Sequence, residues 1–277
     1  YEFCRRIIAN EKRESTIADA FRGIIRNPAT ADDYSSMLNR AGFYDDSSYT
    51  VISLSILRKS VSITESVVRT TDMSLWRMLK KSGNHSSLFM KEGDLVAVRQ
   101  NCSEEEIVMF CELLRPIAEQ SADTEIYIGV SESLRGFAEI SQAYEQSYAA
   151  MLTGRIKGKE RVFYRDIGLM KLIFGVKDKM ILSSFAEENL GVLHRYDSEK
   201  NTDYCSILRK YLELNGSVLE AAAETGVHRN TINYKIRAIR EILGRELDDH
   251  TKSMLMLAYL IEDVLDIYDN LNGGNKQ

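Results

Sequence analysis

Positions 228–237 read His-Arg-Asn-Thr-Ile-Asn-Tyr-Lys-Ile-Arg. Arginine and asparagine are the side chains whose paired donors and acceptors match the major-groove edges of guanine and adenine. Ile232, Ile236, Ile239 and Leu243 recur at spacings of four, three and four, which is one face of a helix. That seam leaves Arg229, Asn230, Asn233, Tyr234 and Arg237 off the apolar face. From Gly226 to Arg245 the bases are Arg229, Lys235, Arg237, Arg240 and Arg245, against the single acid Glu241. The chemistry on offer is hydrogen bonding to base edges and neutralisation of phosphates. Arg229, Asn230 and Asn233 are the expected base readers; Thr231, Lys235 and Arg237 are the expected phosphate contacts. His228 either caps the helix or meets a phosphate, and Tyr234 either faces DNA or packs on the next helix. The competing reading is a solvated helical hairpin whose charges are merely wet.

Such a helix reads bases only if a neighbour holds it outward. Asn215-Gly216 breaks the preceding helix, and Ser217 is a good N-cap with Glu220 at the capping-box position. Ala221, Ala222 and Ala223 let a second helix approach closely. Gly226 can take the positive φ of a tight turn, and Val227 plugs the space between the two helices. The spacing predicts a helix-turn-helix over Val218–Leu243, with its second, reading helix over about 228–243.

Upstream, a helical apolar pattern runs through 1–26 and stops at Asn27-Pro28, because the residue before proline avoids the α region. A helix over Asp32–Ala41 ends at Gly42. The alternating run Tyr49–Leu57 predicts a strand, and 62–81 a helix. Ser87–Met90, the turn Lys91-Glu92-Gly93-Asp94 and Leu95–Val98 predict a hairpin. Ser103 caps a helix to about Ser121. Glu125–Val130 is a strand, Gly136–Leu152 a helix and Arg161–Tyr164 a short strand. No strand signal returns after about Leu169. The expected fold class is α+β: linker helices over 1–45, a ferredoxin-like domain with a mostly antiparallel sheet over 46–172, and an all-α domain over 173–277.

The stretch VHRNTINYKIRAIREILGREL resembles the C-terminal helix-turn-helix of the PucR/CdaR regulators. His228–Thr231, Tyr234-Lys235-Ile236 and Gly244 carry the likeness. The flanks FAEENLGVLHRYD (185–197), ILRKYLELNGS (207–217) and LMLAYLIEDVL (255–265) are similar too. The motif is also similar to the Fis-type DNA-binding domain. Residues 48–167, with IYIGVSESLRGFAEISQAYEQSYAAM at 126–151, resemble the degenerate GGDEF-like domain of the same family; DAFRGI and LNRAGF fit its lead-in. The resemblance implies a regulatory or dimerising middle domain and DNA binding at the C-terminal end. A working GGDEF cyclase needs paired glycines and acids at the hairpin and an acid at the end of the first strand. Here the turn is Lys91-Glu92-Gly93-Asp94, and that strand ends in Arg58-Lys59. No catalytic residue is therefore assigned.

Cys4, Cys102, Cys111 and Cys205 are scattered, as are His85, His194, His228 and His250, so no metal ligand set and no cofactor is expected. A net charge of −5 argues against a protein that coats nucleic acid everywhere, but permits a local basic patch. No apolar run reaches the roughly 18 residues that cross a membrane, and no secretory leader is expected. The expected setting is the bacterial cytoplasm. The expected partners are double-stranded DNA, a second copy of the chain and a small-molecule effector, with signal input through a segment upstream of Tyr1. The alternative is a sensing module whose GGDEF-like domain binds a nucleotide or metabolite without catalysis.

Overall fold

The alternating run around residue 50 becomes the middle of a sheet. In the computed structural model, which describes residues 2–58, 86–118 and 124–273, β1 (Ser48–Arg58) lies between β3 (Asp94–Gln100) and β4 (Thr124–Val130). β2 (Ser86–Lys91) flanks β3, β6 (Arg161–Phe163) flanks β4, and the short β5 (Leu134–Arg135) pairs with the start of β1. All pairings are antiparallel except β4 with β6, so the expected α+β class with a mostly antiparallel sheet is what forms. The hairpin turns with Glu92 at φ 54° and Gly93 at φ 91°, and Lys91 pairs with Asp94. Two consecutive positive φ angles match the right-handed twist of the flanking strands. The helix expected over 62–81 lies outside the described residues.

Side chains alternate across the sheet. Ile52, Leu54, Leu95, Ala97, Ile126 and Ile128 pack on one face against Ile107 and Phe110 of α3 (Glu104–Ala118). Tyr49, Val51, Val96 and Val98 face the other way, toward Ile140 and Tyr144 of α4 (Ile140–Lys157). A Cβ on Gly129 would stand 1.9 Å from the Ser147 carbonyl oxygen, so α4 sits directly on β4. Beneath it Ser53 and Ser147 share a buried 2.7 Å hydrogen bond. Ser103 caps α3 reciprocally: its hydroxyl accepts from the Glu106 N–H (3.2 Å), and the Glu106 carboxylate accepts from the Ser103 N–H (2.8 Å).

Two boundaries differ from expectation. α4 starts at Ile140 rather than Gly136, because Gly136 takes φ 99° and the Phe137 N–H is taken by the Asp45 carboxylate at 2.6 Å. The helix then runs past Leu152 to Lys157. The lead-in helices are α1 (Glu2–Arg26) and α2 (Ala31–Ala41). Phe21, Ile24 and Leu38 are fully buried in the same cluster as Val51 and Val98. From Ile17 onward the helices expected as linkers over 1–45 therefore build the sheet's core, since their apolar face meets an apolar sheet.

The chain divides into two units, Tyr1–Lys171 and Leu172–Gln277. After α5 (Met170–Gly175), the second unit consists of α6 (Lys179–Lys200), α7 (Tyr204–Glu213), α8 (Val218–Thr225), α9 (Arg229–Leu243) and α10 (Asp249–Gly273). Leu190, Leu193, Leu208, Ile232, Ile239, Leu255 and Ala258 form its core. No helix among the described residues is long and apolar enough to cross a membrane.

Candidate nucleic-acid interface

α8 and α9 are the two helices expected over Val218–Leu243, joined by a turn of three residues, 226–228. The Ser217 hydroxyl accepts from the Glu220 N–H at 3.3 Å. The reciprocal half of the expected capping box does not form, because the Ser217 N–H goes to the Leu214 carbonyl at 3.0 Å. Ala221 is fully buried against the core, whereas Ala223 is exposed, so one alanine of the three makes the closest contact. Gly226 holds φ 68°, a conformation that costs a side-chain-bearing residue energy. The Thr225 hydroxyl bonds the Ala221 carbonyl at 2.6 Å and accepts from the Val227 N–H at 3.4 Å, which ties the turn down from inside.

His228 is the N-cap of α9: its Nδ1 accepts from the Asn230 N–H at 3.2 Å. Of its two expected roles, the structure displays the cap. Ile232, Ile236 and Ile239 are buried with relative exposures of 0, 4 and 0%; Leu243, at the end of the seam, is half-buried. The same geometry leaves Arg229, Asn230, Thr231, Asn233, Tyr234 and Arg237 exposed along the helix. Tyr234 is 68% exposed, so it does not pack on the next helix. Leu219 on α8 is also exposed, at 70%. A lone leucine in an amphipathic stretch gives no signal of which way it faces.

The basic residues of this segment separate into two groups. Lys235 is only 18% exposed at its side chain, and its ammonium lies 2.5 and 2.6 Å from the two Asp203 oxygens. Arg240 lies 3.5 Å from Glu246. Arg245 donates to the Asn189 backbone and side-chain oxygens at 3.1 and 3.2 Å. Lys235 and Arg245 fasten α9 and its exit to the rest of the unit, whereas the Arg240 pair is exposed and reaches only the helix's own exit. Among the described residues, neither Arg229 nor Arg237 is in an ion pair. The Asp203 and Asn189 partners lie far away in sequence, so no local pattern announces them.

The scaffold behind α9 is tied with charge. Arg209 donates to both Asp263 oxygens at 2.7 and 2.8 Å and to Glu213 at 3.1 Å, which raises its pKa. Asp197 caps the start of α7, accepting from the Tyr204 N–H at 2.9 Å and the Cys205 N–H at 2.7 Å. Partial burial pushes that carboxyl up, but the bonds from Cys205, Thr202 and Tyr204 outweigh it and hold it below the usual range.

The hairpin that a cyclase would use looks different. Glu92 is exposed and paired with Lys91, whereas Asp94 is only 9% exposed. Burial pushes the Asp94 carboxyl up to about 6, against the lowering effects of a Ser55 hydrogen bond and the nearby Arg155. Among the described residues no three His, Cys, Asp or Glu side chains come together as a metal site.

The sequence of residues 204–261 matches the model of the PucR C-terminal helix-turn-helix domain, and residues 26–151 match that of a GGDEF-like domain. Among characterised proteins the chain is similar to the proline-responsive transcriptional activator PutR of Bacillus subtilis strain 168. The two are 25% identical over 146 residues, which is 51% of this chain and 36% of that protein. The chain thus spans about a third of the length of that relative. A solved structure, the regulator of polyketide synthase expression from Bifidobacterium adolescentis, aligns with 89% of this chain and 97% of its own, at 19% identity and a TM-score of 0.43.

Proposed function

From a chain that carries the GGDEF-like domain and the C-terminal helix-turn-helix domain of the PucR-type regulators, we propose a sequence-specific DNA-binding regulator of transcription. α9 enters the major groove, with Arg229, Asn230 and Asn233 on base edges and Thr231 and Arg237 on phosphates. The observation that carries this is the division of α9: Ile232, Ile236 and Ile239 are sealed in the core, while the polar residues between them face outward. Tyr234 stands on the same outward side and meets the groove or its backbone. His228 presents the first turn by capping it, and Lys235 sets the pitch of the helix through Asp203 rather than serving mainly as a phosphate contact.

The regulator acts in the cytoplasm as a homodimer. Arg229 and Arg237, outside ion pairs among the described residues, make a small electrostatic footprint for one copy, and a second copy on an adjacent half-site doubles it. The first unit has no catalytic role: its hairpin acids are divided between solvent and interior, and the turn lacks the paired glycines that admit a nucleotide. It serves as the input side, where an effector biases DNA binding. That an activator similar over half of this chain is named proline-responsive supports a small-molecule input.

The test is selection of duplexes from a random pool by the whole chain, followed by titration of the enriched duplex at several salt concentrations. A specific regulator enriches a two-half-site motif, and its binding weakens steeply with salt, since each neutralised phosphate adds about −0.9 to the log–log slope. A pool that stays random after repeated rounds rejects the proposal.

A further inference from the structure

The first unit holds an open cavity of about 200 Å³ at one end of its sheet. The carboxyl ends of the parallel strands β4 and β6 reach it at Val130 and Phe163, beside the start of α3 at Glu104 and Ile107. Thr50 of β1 contributes to the wall and pairs with Arg99, whereas the hairpin turn lies beyond the pair Leu54–Leu95. Four residues of strand, about 13 Å at 3.3 Å each, separate those two pairs. The cavity is therefore not the place where a cyclase would hold its nucleotide.

Its mouth carries both signs of charge. Arg165 donates to the two Glu104 oxygens at 2.8 and 2.5 Å, and Lys171 lies 3.9 Å from Glu132. Each cation also covers an aromatic ring, Arg165 over Phe163 at 4.8 Å and Lys171 over Tyr164 at 4.6 Å. Arg165 and Glu104 keep about half their side-chain surface, 52 and 57%. Exposed pairs of this kind contribute little to folding and exchange readily for the charges of a ligand. Beside Thr50 on the neighbouring strand, outside the cavity lining, Arg99 is 2% exposed, its guanidinium is 4.6 Å from the Phe110 ring centroid, and its Nε has no hydrogen-bond partner among the described residues.

Size sets the other limit. At about 200 Å³ the cavity lies below the 300–1,000 Å³ typical for drug-sized ligands. A nucleotide would project through its open side into solvent. A ligand that carries both signs finds a partner for each, a carboxylate on Arg165 and an ammonium on Glu132, where a ligand of one sign finds only one. We infer that this cavity binds a small zwitterion of the α-amino-acid class, its carboxylate on Arg165, its ammonium on Glu132 and its side chain against Ile107 and Val130. The inference rests on the reading of the first unit as the input side of the regulator, and it names the class of effector.

The test is calorimetric titration of the whole chain with each of the twenty amino acids separately, and with GTP as the nucleotide control. At least one amino acid is expected to bind saturably, with its decarboxylated and deaminated analogues at least tenfold weaker. Arg165→Gln and Glu132→Gln should each weaken binding at least tenfold. Ser133→Phe, which fills the cavity from an exposed position, should abolish it with the circular dichroism spectrum unchanged. No binding of any amino acid at 10 mM, binding that survives all three substitutions, or preference for GTP overturns the inference. DNA affinity measured on the same samples separates the two readings: duplex binding without amino-acid binding sinks only the cavity, and the reverse sinks only the DNA-binding role.

Discussion

Two turns in this molecule display polar residues, and they do so in opposite senses. The hairpin turn at 91–94 sends Asp94 inward, to Ser55 and near Arg155, and leaves Glu92 occupied with Lys91. The turn at 226–228 opens a helix whose Arg229, Asn230 and Asn233 face solvent. A group that must meet an outside partner has to stay accessible and unspent within the fold. The first turn has spent its acids internally; the second has kept its polar groups outside while burying the isoleucines between them. The difference separates a structural turn from a presenting one.

Removing what holds the presenting helix should have the largest effect. Ile232→Ala or Ile236→Ala deletes a buried side chain and leaves a cavity, costing about 2–5 kcal/mol. The second unit should unfold at lower urea, with duplex binding lost in parallel. Retained stability would mean that α9 is not anchored through this seam.

Asp94→Asn sharpens the other side of the comparison. A carboxyl whose pKa is raised in the fold destabilises it once the pH exceeds the unfolded value, so stability falls as pH rises from about 4 to about 6. Substituting asparagine should stabilise the first unit by about 2 kcal/mol at pH 7.5 and leave it unchanged at pH 4. An Asp94 that served a partner instead would lose a function on this change and gain no stability.

Next in size, Arg229→Ala or Asn230→Ala should weaken binding to the enriched duplex by about 1–3 kcal/mol and relax preference at one base position. Both side chains are exposed, so folding stability should move by less than about 0.5 kcal/mol. Arg237→Ala should lower the salt slope by about 1 without altering base preference. The smallest effect belongs to Lys235→Ala, which removes a partly exposed ion pair with Asp203. It should cost at most about 1 kcal/mol of stability and alter duplex affinity less than Arg229→Ala.

Both turns were visible in the sequence, because turn chemistry and helical spacing are local. So was the seam of α9, where Ile232, Ile236 and Ile239 recur with the helical period. What local patterns miss is where long side chains find partners. Lys235 and Arg245 read as basic residues on a DNA-binding segment, yet Asp203 and Asn189, distant in sequence, engage them. Gly136 read as a helix start, and only Asp45 from another part of the chain shows why it is a turn. The cavity beside Thr50 could not be read at all, since its walls come from segments that only the sheet topology brings together.

Light-induced crosslinking to the enriched duplex probes the exposed face of α9 most directly. With benzoylphenylalanine at position 233, the chain should crosslink efficiently at one or two nucleotides of each half-site. At position 180, also exposed but far along the chain on α6, it should not. Equal crosslinking at both positions, or none at 233 from a variant that still binds the duplex, would contradict the assignment of α9 as the reading helix.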